Sequence, residues 1–404
     1  MELVCNIDRL NNRLTELGTK GALPIKGVSR LAFSNDDKLG RDLVVSYMKE
    51  LNLNITIDQI GNVIGTRKGK KDLPPVLMGS HIDTVATGGL YDGCLGVLAG
   101  IEVINVLNEH NITTKRPVAV GFFSNEEGCA VQPDMMGSMV HQGHLSLEEN
   151  LSKKDTNGET IAERLEKICY AGSTPVNTLK PFAFLEIHIE QGPILDKNQI
   201  QIGAVTGVQG ISWQELTIKG ISNHAGTTPM NYRNDAGLAA AKILCYANSL
   251  AVNGQLATIG VMRFKPNLIN VIPEEVVMTV DLRNPNEEKL QQAENELKNF
   301  VKNLAKEHNL TITSKQVARF LPVAFNDELI TKIEQKAKDS NLSVQRIVAG
   351  AGHDAQSFAP NCPTAMIFIP NKDGISHNIE EYASPKDIEN GVNVLLSLVS
   401  DLAM

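Results

Sequence analysis

The sequence predicts an α/β fold: a main domain on a mainly parallel sheet, with an inserted ferredoxin-like α+β domain. Three observations point to it. Short apolar runs, each ending in a polar cluster, alternate with stretches of helical period, the pattern of strand–helix–strand units. A central block changes style and reads β-α-β-β-α-β. After that block the buried-strand pattern returns near the C-terminus.

Each element follows from its residues. Between Met1 and Leu17, the side chains of Leu3, Ile7, Leu10, Leu14 and Leu17 fall at helical spacing, an amphipathic helix rather than a signal peptide. Val76-Leu77-Met78 leads as a strand into Gly79-Ser80-His81-Ile82-Asp83. Leu95 to Leu107 is apolar at 97, 98, 101, 104 and 107, a helix. Val118 to Phe123 runs as a strand into Ser124-Asn125-Glu126-Glu127, and Ala183 to Ile187 into His188-Ile189-Glu190-Gln191. The central block holds a strand at 211–219, a helix at 235–250, strands at 256–264 and 275–283, a helix at 287–308 and a strand at 310–317. A helix at 327–341 and a strand at 365–369 follow, then a loop with Ser376-His377. The division is 1–208 and 323–404 for the main domain and 209–322 for the insertion.

Composition excludes several classes. A chain of 404 residues with 42% hydrophobic and 21% charged residues is long enough to bury a core without disulfides, and is not disordered. The formal net charge of −8 argues against nucleic acid or an anionic membrane as a partner. No apolar run reaches the ~18 residues of a membrane span. Cysteines stand at 5, 94, 129, 169, 245 and 362 with no C-x-x-C pair, which reads as reduced thiols in a cytoplasmic protein.

The chemistry lies in the polar clusters, because open α/β sheets bind ligands beyond the carboxyl ends of their strands. Those clusters hold His81, Asp83, Asp92, Glu126, Glu127, His188 and His377. Imidazoles and carboxylates together suit a divalent metal such as Zn, Mn, Co or Ni. One ion needs three or four protein ligands, so five candidates suggest two ions bridged by one carboxylate. Asp92, in a Tyr91-Asp92-Gly93 turn before a helix, is placed to bridge. Asp83, two residues beyond His81, can accept the ring N–H and fix its tautomer. Adjacent Glu126 and Glu127 at a strand end repel unless a cation offsets one of them. The economical assignment gives Glu127 to a metal and leaves Glu126 as general base. His110 and His308 read as charge complements at helix C-termini, and His141 and His144 carry no motif. Arg283, ending a strand in an acidic chain, matches a carboxylate bidentately, against the plainer reading of a surface ion pair.

These segments together resemble the di-metal exopeptidase and amidohydrolase superfamily of the aminoacylase type. The branch is that of N-carbamoyl-L-amino-acid hydrolase, allantoate amidohydrolase and β-ureidopropionase. The resemblance rests on GSHIDTV at 79–85, YDGCLGVLAGIE at 91–102, FFSNEEG at 122–128, EIHIEQGPIL at 186–195 and GISNHAGTTPM at 220–230. It continues in NVIP at 270–273, DLRN at 281–284, AGAGHDA at 349–355 and GISHN at 374–378. It implies one metal on His81, Asp92 and His188, and a second on Asp92, Glu127 and His377. It also implies Glu126 as general base, Asp83 orienting His81, and His224 as oxyanion donor. Asn270 and Arg283 would grip a substrate carboxylate, Gln191 would line the pocket, and Gly352 and His353 would close it. The implied protein is a cytoplasmic homodimer whose inserted domains pair and lend His224 to the neighbour's site. Its implied reaction is hydrolysis of the ureido C–N bond of an N-carbamoyl-L-amino acid or related ureido acid, giving amino acid, CO2 and ammonia. Allantoate amidohydrolase, an aminoacylase or dipeptidase, and a non-catalytic metal-binding relative are the alternatives; an intact Glu126 weighs against the last. The segment GCAVQPDMMGSMVHQG at 128–143 departs from the pattern, with Cys129 and Met139 where the family carries polar or basic residues. Cys94 and Cys129, beside candidate ligands, read as small buried fillers.

Overall fold

The computed structural model describes residues 3–404. It divides into two compact units, 3–207 with 324–404, and 208–323.

The first unit is built on a sheet whose centre is parallel. Val118–Phe123, Val76–His81, Ala183–Ile189 and Thr364–Ile369 lie side by side in that order, each pair parallel. All four strands are buried along their whole length, which is why they read as continuous apolar runs. The flanks are antiparallel. Val63–Arg67 and Asn54–Ile57 extend one side, and Ile202–Val208 the other. These flanking strands, with Val344–Ala349 beside Ile202–Val208, are absent from the sequence reading. Because the central strands run the same way, His81, Ser124 and His188 all arrive at one edge of the sheet. His81 lies opposite Phe123, and His188 opposite Phe368.

The helix Cys94–Glu109 packs against this sheet and against the helices Ile7–Gly18 and Pro385–Ala403. The N-terminal helix starts later than its apolar spacing suggested. Asn6 caps it by accepting from the Arg9 N–H, so Leu3 lies outside. Arg9 then clamps the fully buried Glu102 with bonds of 2.8 and 2.7 Å.

The second unit is an antiparallel sheet in the order Met262–Lys265, Glu275–Asn284, Gly210–Lys219, Thr311–Phe320, with Leu256–Thr258 also on Glu275–Asn284. Burial alternates residue by residue along Glu275–Asn284. The inward side chains Val276, Met278, Val280 and Leu282 meet Ile243, Leu290 and Leu297 of the helices Ala236–Ser249 and Glu287–Glu307. The strand expected at 256–264 is two strands. At the break, the Val261 N–H bonds to the Thr279 hydroxyl at 3.2 Å instead of to a backbone carbonyl. A bulge between Gln316 and Ala318 carries the last strand to Phe320.

Candidate metal centre

At the carboxyl edge of the parallel strands the first unit brings together His81, Asp83, Asp92, Glu126, Glu127, His188, Gln191, Gly352, His353 and His377. All but Asp83 line a cavity of about 140 Å³, shared with Asp134 and Ala351.

Backbone carbonyls orient the two strand-end imidazoles. His81 Nδ1 lies 2.9 Å from the Asp83 carbonyl oxygen, and His188 Nδ1 lies 2.9 Å from that of Ile189. A carbonyl only accepts, so each Nδ1 carries a proton, and in the neutral ring each Nε2 turns its lone pair inward. The Gly93 N–H, 3.1 Å from His188 Nε2, agrees with this tautomer. The expectation that the Asp83 carboxylate holds the His81 ring is therefore corrected: that carboxylate is 3.9 Å from Nδ1. It instead accepts the backbone N–H groups of Glu126, at 3.3 Å, and Glu127, at 3.2 Å. A buried carboxylate bonds to the nearest donors without partners, and the turn after Phe123 presents two.

Asp92 sits between two groups of potential ligands. Its Oδ1 is 3.5 Å from His81 Nε2 and 3.2 Å from His188 Nε2. Its Oδ2 is 3.4 Å from His377 Nε2, which is 3.3 Å from Glu127 Oε2. Within each group, His81–Asp92–His188 and Asp92–Glu127–His377, the ligand atoms lie within 4.8 Å of one another. The turn that delivers Asp92 needs Gly93: its φ is +63°, and a Cβ there would stand 2.4 Å from the His81 ring. Glu126 belongs to neither group, and its Oε2 is 3.4 Å from His81 Nε2.

The electrostatics ask for cations. Burial, with Asp354 and Glu127 nearby, holds the Glu126 carboxyl well above its usual range. Burial and Asp92 push Glu127 up to about 7. Burial would raise Asp92 too, but bonds with His188, His377 and His81 hold it well below. Burial would lower His81, yet Glu126, Asp92 and Asp83 outweigh that and hold it high. Glu127 Oε1 is buried without a partner. A crowd of buried carboxylates and inward-facing imidazole nitrogens, with an orphaned carboxylate oxygen, fits divalent metal ions.

The remaining expected residues are distributed as follows. Gln191 donates from Nε2 to Asp92 Oδ2 at 2.8 Å. His353 packs its ring edgewise on His188, 4.6 Å between centroids; burial and His188 keep it well below the usual imidazole range. His224, Asn270 and Arg283 belong to the second unit. His224 is exposed and pairs in register with Val271, and the Asn270 carbonyl accepts the Ala225 N–H. Its Nδ1 accepts from the N–H groups of Gly226, at 3.0 Å, and Thr227, at 3.2 Å, which places the ring proton on Nε2. Arg283 makes an ion pair with Asp281 at 2.9 Å and lies over Trp213, so the plainer reading of this residue has a partner on the same strand. His141 pairs with Asp58 and His144 with the Ser357 carbonyl, both structural. Of the two cysteines read as buried fillers, Cys94 is buried, with its sulfur 3.0 Å from the Arg30 guanidinium. Cys129 is exposed, a correction to the filler reading: the loop beyond Gly128 leaves its side chain open to solvent.

Sequence reasoning missed Ser376, Glu381 and Glu186. Ser376 donates to Asp92 Oδ2 at 2.9 Å; Glu186 accepts from Ser80 and from the Ala355 N–H. Ser376 adjoins His377 in the GISHN segment, the one signal that could have found it. Glu381 is buried while its neighbour Glu380 is exposed, and no local pattern separates them.

The model for "Peptidase family M20/M25/M40" matches residues 77–401. An N-carbamoyl-L-amino acid amidohydrolase of Geobacillus stearothermophilus is 37% identical, over 98% of each chain. A ureidoglycolate hydrolase of Arabidopsis thaliana is 32% identical, over 98% of this chain and 86% of its own. The crystal structure of an amidase of the hydantoinase/carbamoylase family from Burkholderia multivorans superposes with a TM-score of 0.97 at 42% identity, over 99% of this chain and 98% of that one. On the family match and these near full-length likenesses, the chain belongs to peptidase family M20/M25/M40, together with these amidohydrolases.

Proposed function

We propose that this chain is a metal-dependent amidohydrolase that cleaves the ureido C–N bond of an N-carbamoyl-L-amino acid or a related ureido acid. The products are the amino acid, CO2 and ammonia. The observation that carries the reading is the meeting of two ligand groups at Asp92 with Glu126 left over beside them. The carbamoyl-amino-acid amidohydrolases among the near full-length relatives support the substrate class.

In this reading His81, Asp92 and His188 hold one divalent ion, and Asp92, Glu127 and His377 a second. When bound, the ions supply Lewis acidity, polarising the scissile carbonyl and acidifying water. Glu126 takes the proton of the attacking water and returns it to the leaving nitrogen. Asp83 keeps Glu126 and Glu127 in place by holding their N–H groups. His224 donates from Nε2 to the developing oxyanion, the tautomer that its two backbone donors favour. Gln191, Asn270, Arg283, Gly352 and His353 contact the substrate, with Arg283 on its carboxylate. The second unit serves as a dimerisation domain. Its sheet ends on the strands Met262–Lys265 and Thr311–Phe320, where Phe264, Val317 and Phe320 are exposed.

The test is ammonia release from N-carbamoyl-L-methionine, ureidoglycolate and allantoate, beside acyl-amino acids and dipeptides, with metal-free protein reloaded with Zn, Mn, Co or Ni. Turnover of the carbamoyl amino acid is expected. Hydrolysis confined to acyl or dipeptide substrates would overturn the reading.

A further inference from the structure

Two buried carboxylates in this unit do the same kind of work at different turns. Asp83 holds consecutive N–H groups of the turn that bears Glu126 and Glu127. Glu381 holds those of Tyr91, at 2.9 Å, and Asp92, at 3.1 Å, both on Oε1. Its other oxygen, Oε2, is 3.2 Å from the Ser376 hydroxyl, which lies 2.9 Å from Asp92 Oδ2. Ser376 immediately precedes His377. One side chain thus touches the Asp92 turn and, through Ser376, the loop of His377, although 284 residues separate Asp92 from Ser376.

The surroundings are shaped for that side chain. Glu381 is 4% exposed. A Cβ at Gly89 would stand 2.3 Å from Glu381 Oε1, so the backbone before Asp92 passes where only glycine leaves room. Tyr91 and Tyr382 pack edge to face alongside, 6.2 Å between centroids. Ser384 caps the helix Pro385–Ala403 three residues on, which ties Glu381 to a rigid element.

We infer that Glu381 is a positioning residue: it fixes Asp92 against His377, and so sets the spacing of the two ligand groups. This rests on the reading of Asp92 and His377 as metal ligands. Ligand-orienting partners of this kind change metal affinity by about 10–100-fold when removed.

The experiment compares Glu381→Ala, Glu381→Gln and Ser376→Ala with the wild type and with Asp92→Ala, using the full chain. Hydrogen exchange is measured on metal-free protein, and manganese affinity and the kinetic constants on the loaded enzyme. Glu381→Ala should speed exchange in peptides covering 89–94 and 374–378 and weaken manganese about 10–100-fold. Its kcat should fall while KM changes little. Glu381→Gln should recover most of both, because its amide oxygen still accepts the two N–H groups and its amide nitrogen donates to Ser376. Ser376→Ala, a milder lesion, should weaken manganese without speeding exchange at 89–94. Wild-type exchange and affinity in Glu381→Ala would overturn the inference, as would a folded Glu381→Gln no better than Glu381→Ala. If wild type and Asp92→Ala bind manganese equally, the metal reading fails instead, and the exchange data still decide the role of Glu381.

Discussion

Glu126 and Glu127 are adjacent in sequence, accept no shared ligand position and answer to different neighbours. Glu127 Oε2 faces His377, whereas Glu126 Oε2 faces His81 from outside both ligand groups. Replacing either carboxylate by its amide keeps the volume and removes the charge. Glu126→Gln is therefore expected to keep its metal content and its folded state while losing about 10²–10⁴-fold in kcat. Glu127→Gln is expected to lose metal first. Metal analysis by mass spectrometry, set against kcat, separates the two. Near-native turnover in Glu126→Gln would assign the base elsewhere.

At the level of elements, the N-terminal helix is held to the helix Cys94–Glu109 by one charged clamp. Arg9 donates from Nε and Nη2 to Glu102, whose side chain is fully buried, and from Nη1 to the half-exposed Glu109. The Asn6 N–H adds a third bond to Glu102. Removing one partner of a buried pair strands the other charge and costs roughly 3–5 kcal/mol. Arg9→Ala should fall toward the lower end, because Arg13 stands 3.8 Å from the same carboxylate. Denaturant unfolding measures the loss. Glu109→Ala, which removes only an exposed partner, should cost under about 1 kcal/mol. Equal losses for the two variants would show that burial of Glu102 is not what gives the clamp its strength.

On the scale of the whole molecule, the proposed service of His224 to a neighbour's site stands or falls by complementation. Glu126→Gln and His224→Ala should each be inactive as homodimers. Refolded together in equal amounts, random two-fold pairing makes about half the dimers mixed, with one intact site in each, so about a quarter of wild-type activity should return. If His224 acts within its own chain, every site carries a lesion and mixing restores nothing. Native mass spectrometry confirms that heterodimers formed.

The residues by themselves determined the elements whose signals are local. Central strands buried on both faces appear as unbroken apolar runs, and the helices read at 235–250, 287–308 and 327–341 begin at side chains that accept an N–H three residues on, those of Asp235, Asn286 and Asn326. The polar clusters at 79–83, 124–127 and 188–191 named most of the candidate site, because in a parallel sheet strand ends converge whatever the details of packing. Tertiary structure alone decided the rest. The strand Ile202–Val208, with Gly203 and Gly207, has a weak local pattern, and its pairing with Thr364–Ile369 joins segments far apart in sequence. The Asp83 carboxylate could as well have served the His81 ring, which its backbone carbonyl holds instead. Only the approach of the turn after Phe123 brought two backbone donors within its reach. Glu381 and Glu380 are alike as letters, and the fold buries one against the Asp92 turn and leaves the other in water. Local chemistry proposes hydrogen-bond donors and acceptors; which of them meet is settled by contacts between distant segments.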